Sequence, residues 1–128
     1  MKRIATLVLT AALSIAAHAD QETQDKVLKA TQNVTMSIFS AYFEEAIARA
    51  KGYPAGGSEK RLNGLEVIKS DYKVLMGLAK TEEQRAAVQA WRVEVEPALN
   101  SVDASESSRK SAQLAADKAN LRLRMAFD

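Results

Sequence analysis

From Gln21 onward, apolar side chains recur every three or four positions, and the alternation of a β-strand never appears, so the chain reads as helix throughout. The first helix is predicted from about Gln21 to Lys51, with Val27, Leu28, Val34, Met36, Ile38, Phe39, Tyr42, Phe43 and Ile47 as its large apolar positions. Its middle, Thr31 to Ser37, is rich in weak helix formers, and a kink or fray is expected there. Gly52 and Pro54 close it, the glycine as an end cap and the proline as a block to continuation.

A Gly-Tyr-Pro-Ala-Gly-Gly loop follows, and Ser58 is the expected cap of a second helix from about Glu59 to Ala79. Leu62, Leu65, Ile68, Tyr72, Leu75 and Leu78 or Ala79 mark its inner stripe. Gly64 and Gly77 weaken that helix unless a neighbouring backbone needs the space. Thr81 and Gln84 have the spacing of a capping box opening a third helix over about 82–101, with Val88, Trp91, Val95, Leu99 and Val102 on one side. Pro97 should kink or break it near Glu96.

The run Asp103 to Glu106 is a further cap signal, ahead of a fourth helix over about 105–127. That helix carries a small apolar set (Ala112, Ala115, Ala116, Ala119, Ala126) and a larger one (Leu114, Leu121, Leu123, Met125, Phe127). Short connections between long helices favour antiparallel neighbours, so the expected fold is all-α, an up-down-up-down four-helix bundle over residues 20–128.

Residues 1–19 have a different pattern. Lys2 and Arg3 precede an uncharged run from Ile4 to Ala16, which closes on Ala17-His18-Ala19 before the first acid, Asp20. A charged start, a short apolar run and small residues before a junction are the three parts of a secretory signal, cut here after Ala19. The apolar run is shorter than the ~20 residues that span a bilayer, and no second one follows, so no transmembrane anchor is expected. No cysteine follows the run to carry a lipid. The expected location is the periplasm of a Gram-negative bacterium, or the medium outside it.

Loss of the leader changes the chemistry available. The whole chain has 18 basic and 16 acidic residues, but without Lys2 and Arg3 the balance is 16 of each, which argues against a nucleic-acid partner. The single histidine, His18, leaves with the leader, and there is no cysteine anywhere. Histidine is the usual general base near neutral pH and a common ligand of zinc, copper and haem iron. Its loss argues against an enzyme built on a Ser-His or Cys-His pair, and against a metal or other cofactor. The outline resembles the soluble periplasmic b-type cytochromes, which implies a haem bundle. Near the chain end, however, Arg122, Arg124 and Met125 stand where that resemblance implies a histidine ligand. The outline also resembles the periplasmic sensor bundles of chemoreceptors, whose flanking membrane helices have no counterpart here.

What remains is binding. Five aromatic residues are candidate contacts for a ligand or partner: Phe39, Tyr42, Phe43, Tyr53 and Trp91. Tyr42 and Phe43 are adjacent on one helix and cannot both point into a narrow bundle, so one of them faces a groove or a second copy of the chain. Tyr53 sits at a loop tip. Trp91 shares the register of Val88, Val95 and Leu99, which makes it a core anchor first and a contact second. The acidic pairs Glu44-Glu45, Glu82-Glu83 and Glu94/Glu96 lack calcium-loop spacing. The basic pairs Lys60-Arg61 and Arg109-Lys110, with Arg122 and Arg124, read as solvated helix faces. The expected function is a protein-interaction module of the envelope (adaptor, inhibitor or immunity-type), with an envelope protein or a second copy as partner. The alternative is a carrier or sensor holding an apolar or amphipathic molecule between helices.

Overall fold

The computed structural model describes residues 20–53 and 58–128. The predicted leader, residues 1–19, lies outside the described residues, as do Pro54 to Gly57 of the first loop. Four helices make up the fold: α1 Gln21–Ala50, α2 Glu59–Leu78, α3 Glu82–Asn100 and α4 Glu106–Ala126. Among the described residues there is no strand, so the all-α expectation holds. Each helix packs on its two chain neighbours and α4 closes back onto α1. The pairings run antiparallel: Ser37 lies at Gly64 and Glu45 at Arg61, and Tyr72 lies at Arg92 while Gly64 also meets Leu99. Between α1 and α4, Gln24 reaches Phe127 and Thr35 reaches Gln113. This is the up-down-up-down bundle.

The helix ends are held by the groups their sequences supply. Asp20, Ser58, Thr81 and Ser105 each accept a hydrogen bond from the backbone N–H three residues on, satisfying donors that a helix start leaves without partners. At the fourth helix the cap is therefore Ser105. Asp103 instead accepts from Ser105 N–H at 2.7 Å and from the Ser108 hydroxyl at 2.9 Å, forming the turn that leads in. Gln84 reaches one residue beyond the usual capping box and accepts from Lys80 N–H at 2.8 Å. Gly52 has φ +79, and the bonds Tyr53 N–H to Ala48 carbonyl and Gly52 N–H to Arg49 carbonyl form the paired closure of a glycine-ended helix.

Neither of the two stretches expected to kink, fray or break interrupts its helix. α1 runs without interruption through Thr31 to Ser37, where Asn120 and Gln113 of α4 bond to Thr31 and Thr35 and hold weak helix formers in place. α3 continues past Pro97 to Asn100. The proline lies in the last turn on the exposed side, so the carbonyl of exposed Val93 that it leaves without an amide partner faces the wet side of the helix.

The core is made of Val27, Val34, Ile38, Ile68, Leu75, Val88, Trp91, Val95, Leu99, Leu123 and Phe127, with alanines of α1, α3 and α4 between them. On α2 the inward line passes through Gly64, Leu65, Ile68, Tyr72 and Leu75. Leu62, placed on that stripe by spacing, is exposed, because Gly64 occupies the position where α2 comes closest to α1. A Cβ built on Gly64 would lie 2.8 Å from Ser37 Cβ and 2.9 Å from Leu99 Cδ2, whereas one on Gly77 meets nothing within 4 Å. Gly64→Ala should therefore cost about 1–3 kcal/mol by overpacking. Gly77→Ala should add about 0.5–1 kcal/mol by stiffening the unfolded chain and favouring helix. Urea unfolding of both variants measures the contrast, and equal shifts of the same sign would contradict the close approach.

Candidate functional site

Of the five aromatic candidates, the structure brings three together. Phe39 and Phe43 lie one turn apart on α1 with ring centroids 6.3 Å apart, and Tyr42 and Phe43 are at 5.4 Å. Tyr42 turns inward and packs against the core, while Phe43 is exposed. The Arg109 guanidinium of α4 covers this cluster, 5.0 Å from the Phe39 ring and 5.6 Å from Tyr42. That is cation–π geometry, and it pins the start of α4 to the lower half of α1. Tyr53 is exposed at the loop, away from the other four in the contacts it makes. Trp91 is not a surface contact in this fold. It is 1% exposed in the middle of the bundle, and its indole N–H donates to Asn120 Oδ1 at 2.9 Å.

A surface feature appears when the apolar residues outside the core are traced. Leu28, Met36, Phe43 and Ile47 are exposed on α1, and Leu114, Leu121 and Met125 on α4. On α1 they fall in one line with Gln32 and Phe39, at steps of three and four. α1 therefore carries two seams, one turned to the core through Val27, Val34, Ile38 and Ala41 and one turned out. α4 does the same: Ala112, Ala116, Ala119, Leu123 and Phe127 face inward while Ala115 is exposed, which splits both apolar sets of that helix between the two sides. A contiguous exposed apolar patch of more than a few hundred Å² is uncommon on a protein with no binding role.

Between these two lines lies a groove of about 560 Å³, open to solvent, with Leu28, Met36 and Leu121 on its walls. Its floor is polar. Thr31, Thr35, Asp117 and Asn120 line it, and Arg124 stands at one end. Asn120 Nδ2 donates to the Thr31 carbonyl at 3.3 Å, and Gln113 Nε2 bridges Thr35 Oγ1 at 3.4 Å and Asp117 Oδ1 at 2.7 Å. α1 and α4 are thus joined by a polar ladder instead of interlocking leucines, and their larger apolar side chains are left on the outside. A second hollow of about 470 Å³ lies between α1 and the start of α2, beside Phe43 and Ile47.

Several of the charged residues noted in the sequence are taken up by the scaffold. Glu44 accepts from the backbone N–H groups of Glu59 and Lys60, both at 2.9 Å, and so caps the start of α2 from α1. Glu45 is 4% exposed and pairs with Arg61 at 3.3 Å. Glu94 meets Arg122 at 3.0 Å and Glu96 meets Arg92 at 2.7 Å. Glu106 takes both Arg109 and Lys110. Among the described residues no group of three His, Cys, Asp or Glu comes together to hold a metal ion, and no helix is long and apolar enough to cross a membrane.

Three of the carboxylates are held below their ordinary range, each by hydrogen bonds that favour the ionised form. The Lys60 N–H, and after it that of Glu59, lowers Glu44; the Thr23 N–H lowers Asp20; Ser105 and Ser108 lower Asp103. A carboxylate with a depressed folded-state value lends stability above its unfolded value, about pH 4, and loses it as pH falls through the lower folded value. Thermal stability should accordingly be flat from neutral pH to about 5 and decline below about 4. Glu44→Gln should show a shallower decline, and an unchanged pH profile in that variant would contradict its capping role.

No protein-family model, no curated protein and no solved structure matches this chain. Spacing alone does not separate the outward line on α1 and α4 from the core stripe, although its members (Met36, Ile47, Leu114, Leu121, Met125) are plain in the sequence. The signal that finds it is an excess of large apolar residues over what one helix face can bury.

Proposed function

We propose that the chain is an exported protein that acts by binding, an interaction module of the bacterial envelope whose contact surface is the outer face of α1 and α4. The observation that carries this reading is the double seam. The inner seam already fills the bundle, and Met36, Phe43, Leu121 and Met125 are left on one side with no inward role. A flexible, polarisable thioether on the groove wall, that of Met36, suits a surface that adapts to a partner. Glu44, Glu45, Glu94 and Glu96, with Arg61, Arg92 and Arg122, are meanwhile engaged in a cap and ion pairs, which suits a scaffold that acts by binding. The partner is an envelope protein or a second copy of the chain.

The carrier reading has one observation in its favour: the same groove has apolar walls and a polar floor, which suits an amphipathic small molecule. It moves the ligand from Trp91, which is enclosed by the core, to the surface between α1 and α4. Native mass spectrometry of the protein from its own host's envelope tests both readings, with Met36→Lys/Leu121→Lys as the probe. A protein complex or dimer that the double variant loses, while its circular dichroism and melting stay unchanged, supports the interaction module. An added mass of a few hundred daltons lost in the same variant favours the carrier. A complex insensitive to both substitutions overturns the assignment of the face.

A further inference from the structure

The groove between α1 and α4 is lined by two charged side chains of opposite sign, Asp117 and Arg124, both from α4, while α1 contributes only uncharged ones. Seven residues make nearly two turns, so the two stand on the same flank of α4, about 10 Å apart along its axis. Both are exposed, and neither makes an ion pair among the described residues. The other arginines of α4 are engaged: Arg109 meets Glu106, and Arg122, on the opposite flank, meets Glu94. Asp117 accepts from Gln113 Nε2 at 2.7 Å, a neutral donor that leaves its charge unmatched. The groove therefore offers one negative and one positive group, each without a counterpart, on a face that is otherwise apolar or neutral.

We propose that the occupant of this face is a second copy of the chain, docked about a two-fold axis so that the two α4 helices run antiparallel and each Asp117 meets the other copy's Arg124. The proposal rests on the reading of this face as the contact surface. A two-fold contact is self-complementary: if one residue meets another, the second meets the first. In an antiparallel pair the same flank of each helix faces its counterpart, and an axis midway between Asp117 and Arg124 forms both ion pairs at once. A parallel pair in register would set Asp117 against Asp117 and Arg124 against Arg124. The midpoint falls at Asn120 and Leu121. Asn120 is buried and bonded to Trp91 and Thr31, so the exposed Leu121 of each copy meets the other beside the axis. Met125, also exposed, then falls between Leu114 and Lys118 of the second copy. The face shared about this axis is two helices wide and about 30 Å long, roughly 600 Å² in plan, the size at which stable interfaces begin.

The test is sedimentation velocity of the purified protein between about 1 and 100 μM, with circular dichroism to show that every variant stays folded. The parent chain should sediment as a dimer that dissociates on dilution. Asp117→Arg alone, or Arg124→Asp alone, sets like charges together twice and should weaken the dimer about 10- to 100-fold. The double exchange Asp117→Arg/Arg124→Asp puts opposite charges back in contact and should restore the dimer to within about threefold of the parent. A folded monomer at every concentration overturns the second copy as occupant and leaves the face to a different protein. A dimer that Met36→Lys/Leu121→Lys abolishes, but that the single reversals do not weaken or the double exchange does not restore, overturns the antiparallel register and leaves the face standing. A dimer that Met36→Lys/Leu121→Lys leaves intact overturns the proposal together with the face on which it rests.

Discussion

Trp91→Ala is expected to cost about 3–5 kcal/mol, the usual range for deleting a fully buried aromatic side chain, and so most of the stability of a domain this small. Trp91 is 1% exposed, and it does more than fill space. Its N–H donates to Asn120 on α4, and Asn120 in turn donates to the Thr31 carbonyl on α1, so one buried chain of hydrogen bonds ties three helices together. Trp91→Phe keeps much of the volume but leaves the buried Asn120 Oδ1 without its donor, which should cost about 1–3 kcal/mol. Pairing Trp91→Phe with Asn120→Leu removes both ends of the bond and should recover part of that loss. Urea unfolding followed by circular dichroism reads all three variants. A double variant no better than Trp91→Phe would show that the indole hydrogen bond is not what the phenylalanine loses.

The second large effect is expected at Arg61. Its guanidinium Nη2 donates to Glu45 of α1 and to the Val102 carbonyl just beyond α3, so a side chain of α2 closes the end of the bundle against two neighbours. Arg61→Ala leaves the Glu45 carboxylate, 4% exposed, without this cation. Breaking a buried ion pair from one side typically costs about 3–5 kcal/mol, and the lower end applies because Arg61 retains some contact with solvent. Replacing both members, as Arg61→Met with Glu45→Leu, should restore most of the stability, since the desolvation of the pair disappears with its attraction. A loss below about 1 kcal/mol for Arg61→Ala would place this pair with ordinary surface ion pairs.

These two anchors explain which parts of the fold were legible in the sequence. Trp91 reads as core from its register with Val88, Val95 and Leu99, and Gly52, Ser58 and Thr81 read as helix ends because each has a local chemical task. The errors share a cause: they needed knowledge of what the neighbouring helix does. Leu62 has the spacing of a core residue, but α2 is rotated so that Gly64 can approach Ser37. Thr31 to Ser37 reads as a weak point, yet α4 supplies Asn120 and Gln113 to hold it. Pro97 reads as a break, yet it falls in the last turn on the exposed side, where a missing amide bond costs little.

The candidate surface was legible only in part. Phe43 stands out in the sequence because two adjacent aromatics cannot both face inward, a local argument, and it is exposed. Met36, Leu121 and Met125 merge with the core stripe in the sequence because a list of apolar positions does not show that one helix has two seams. The outer seam becomes visible only once the inner one is known to be full. Arg109 gives no sequence signal as a neighbour of the aromatic cluster, because its position over Phe39 and Tyr42 depends on how α4 docks on α1.

The central claim is that the outer face of α1 and α4 is the binding surface, and site-specific photo-crosslinking in the envelope tests it most directly. A photoreactive residue is placed at Met36, at Leu121 and, as a control, at Val74, which is exposed on α2. Discrete protein adducts of one mass at positions 36 and 121, with none at 74, are predicted. Adducts at 74 alone, or the same adducts at all three positions, would contradict the account.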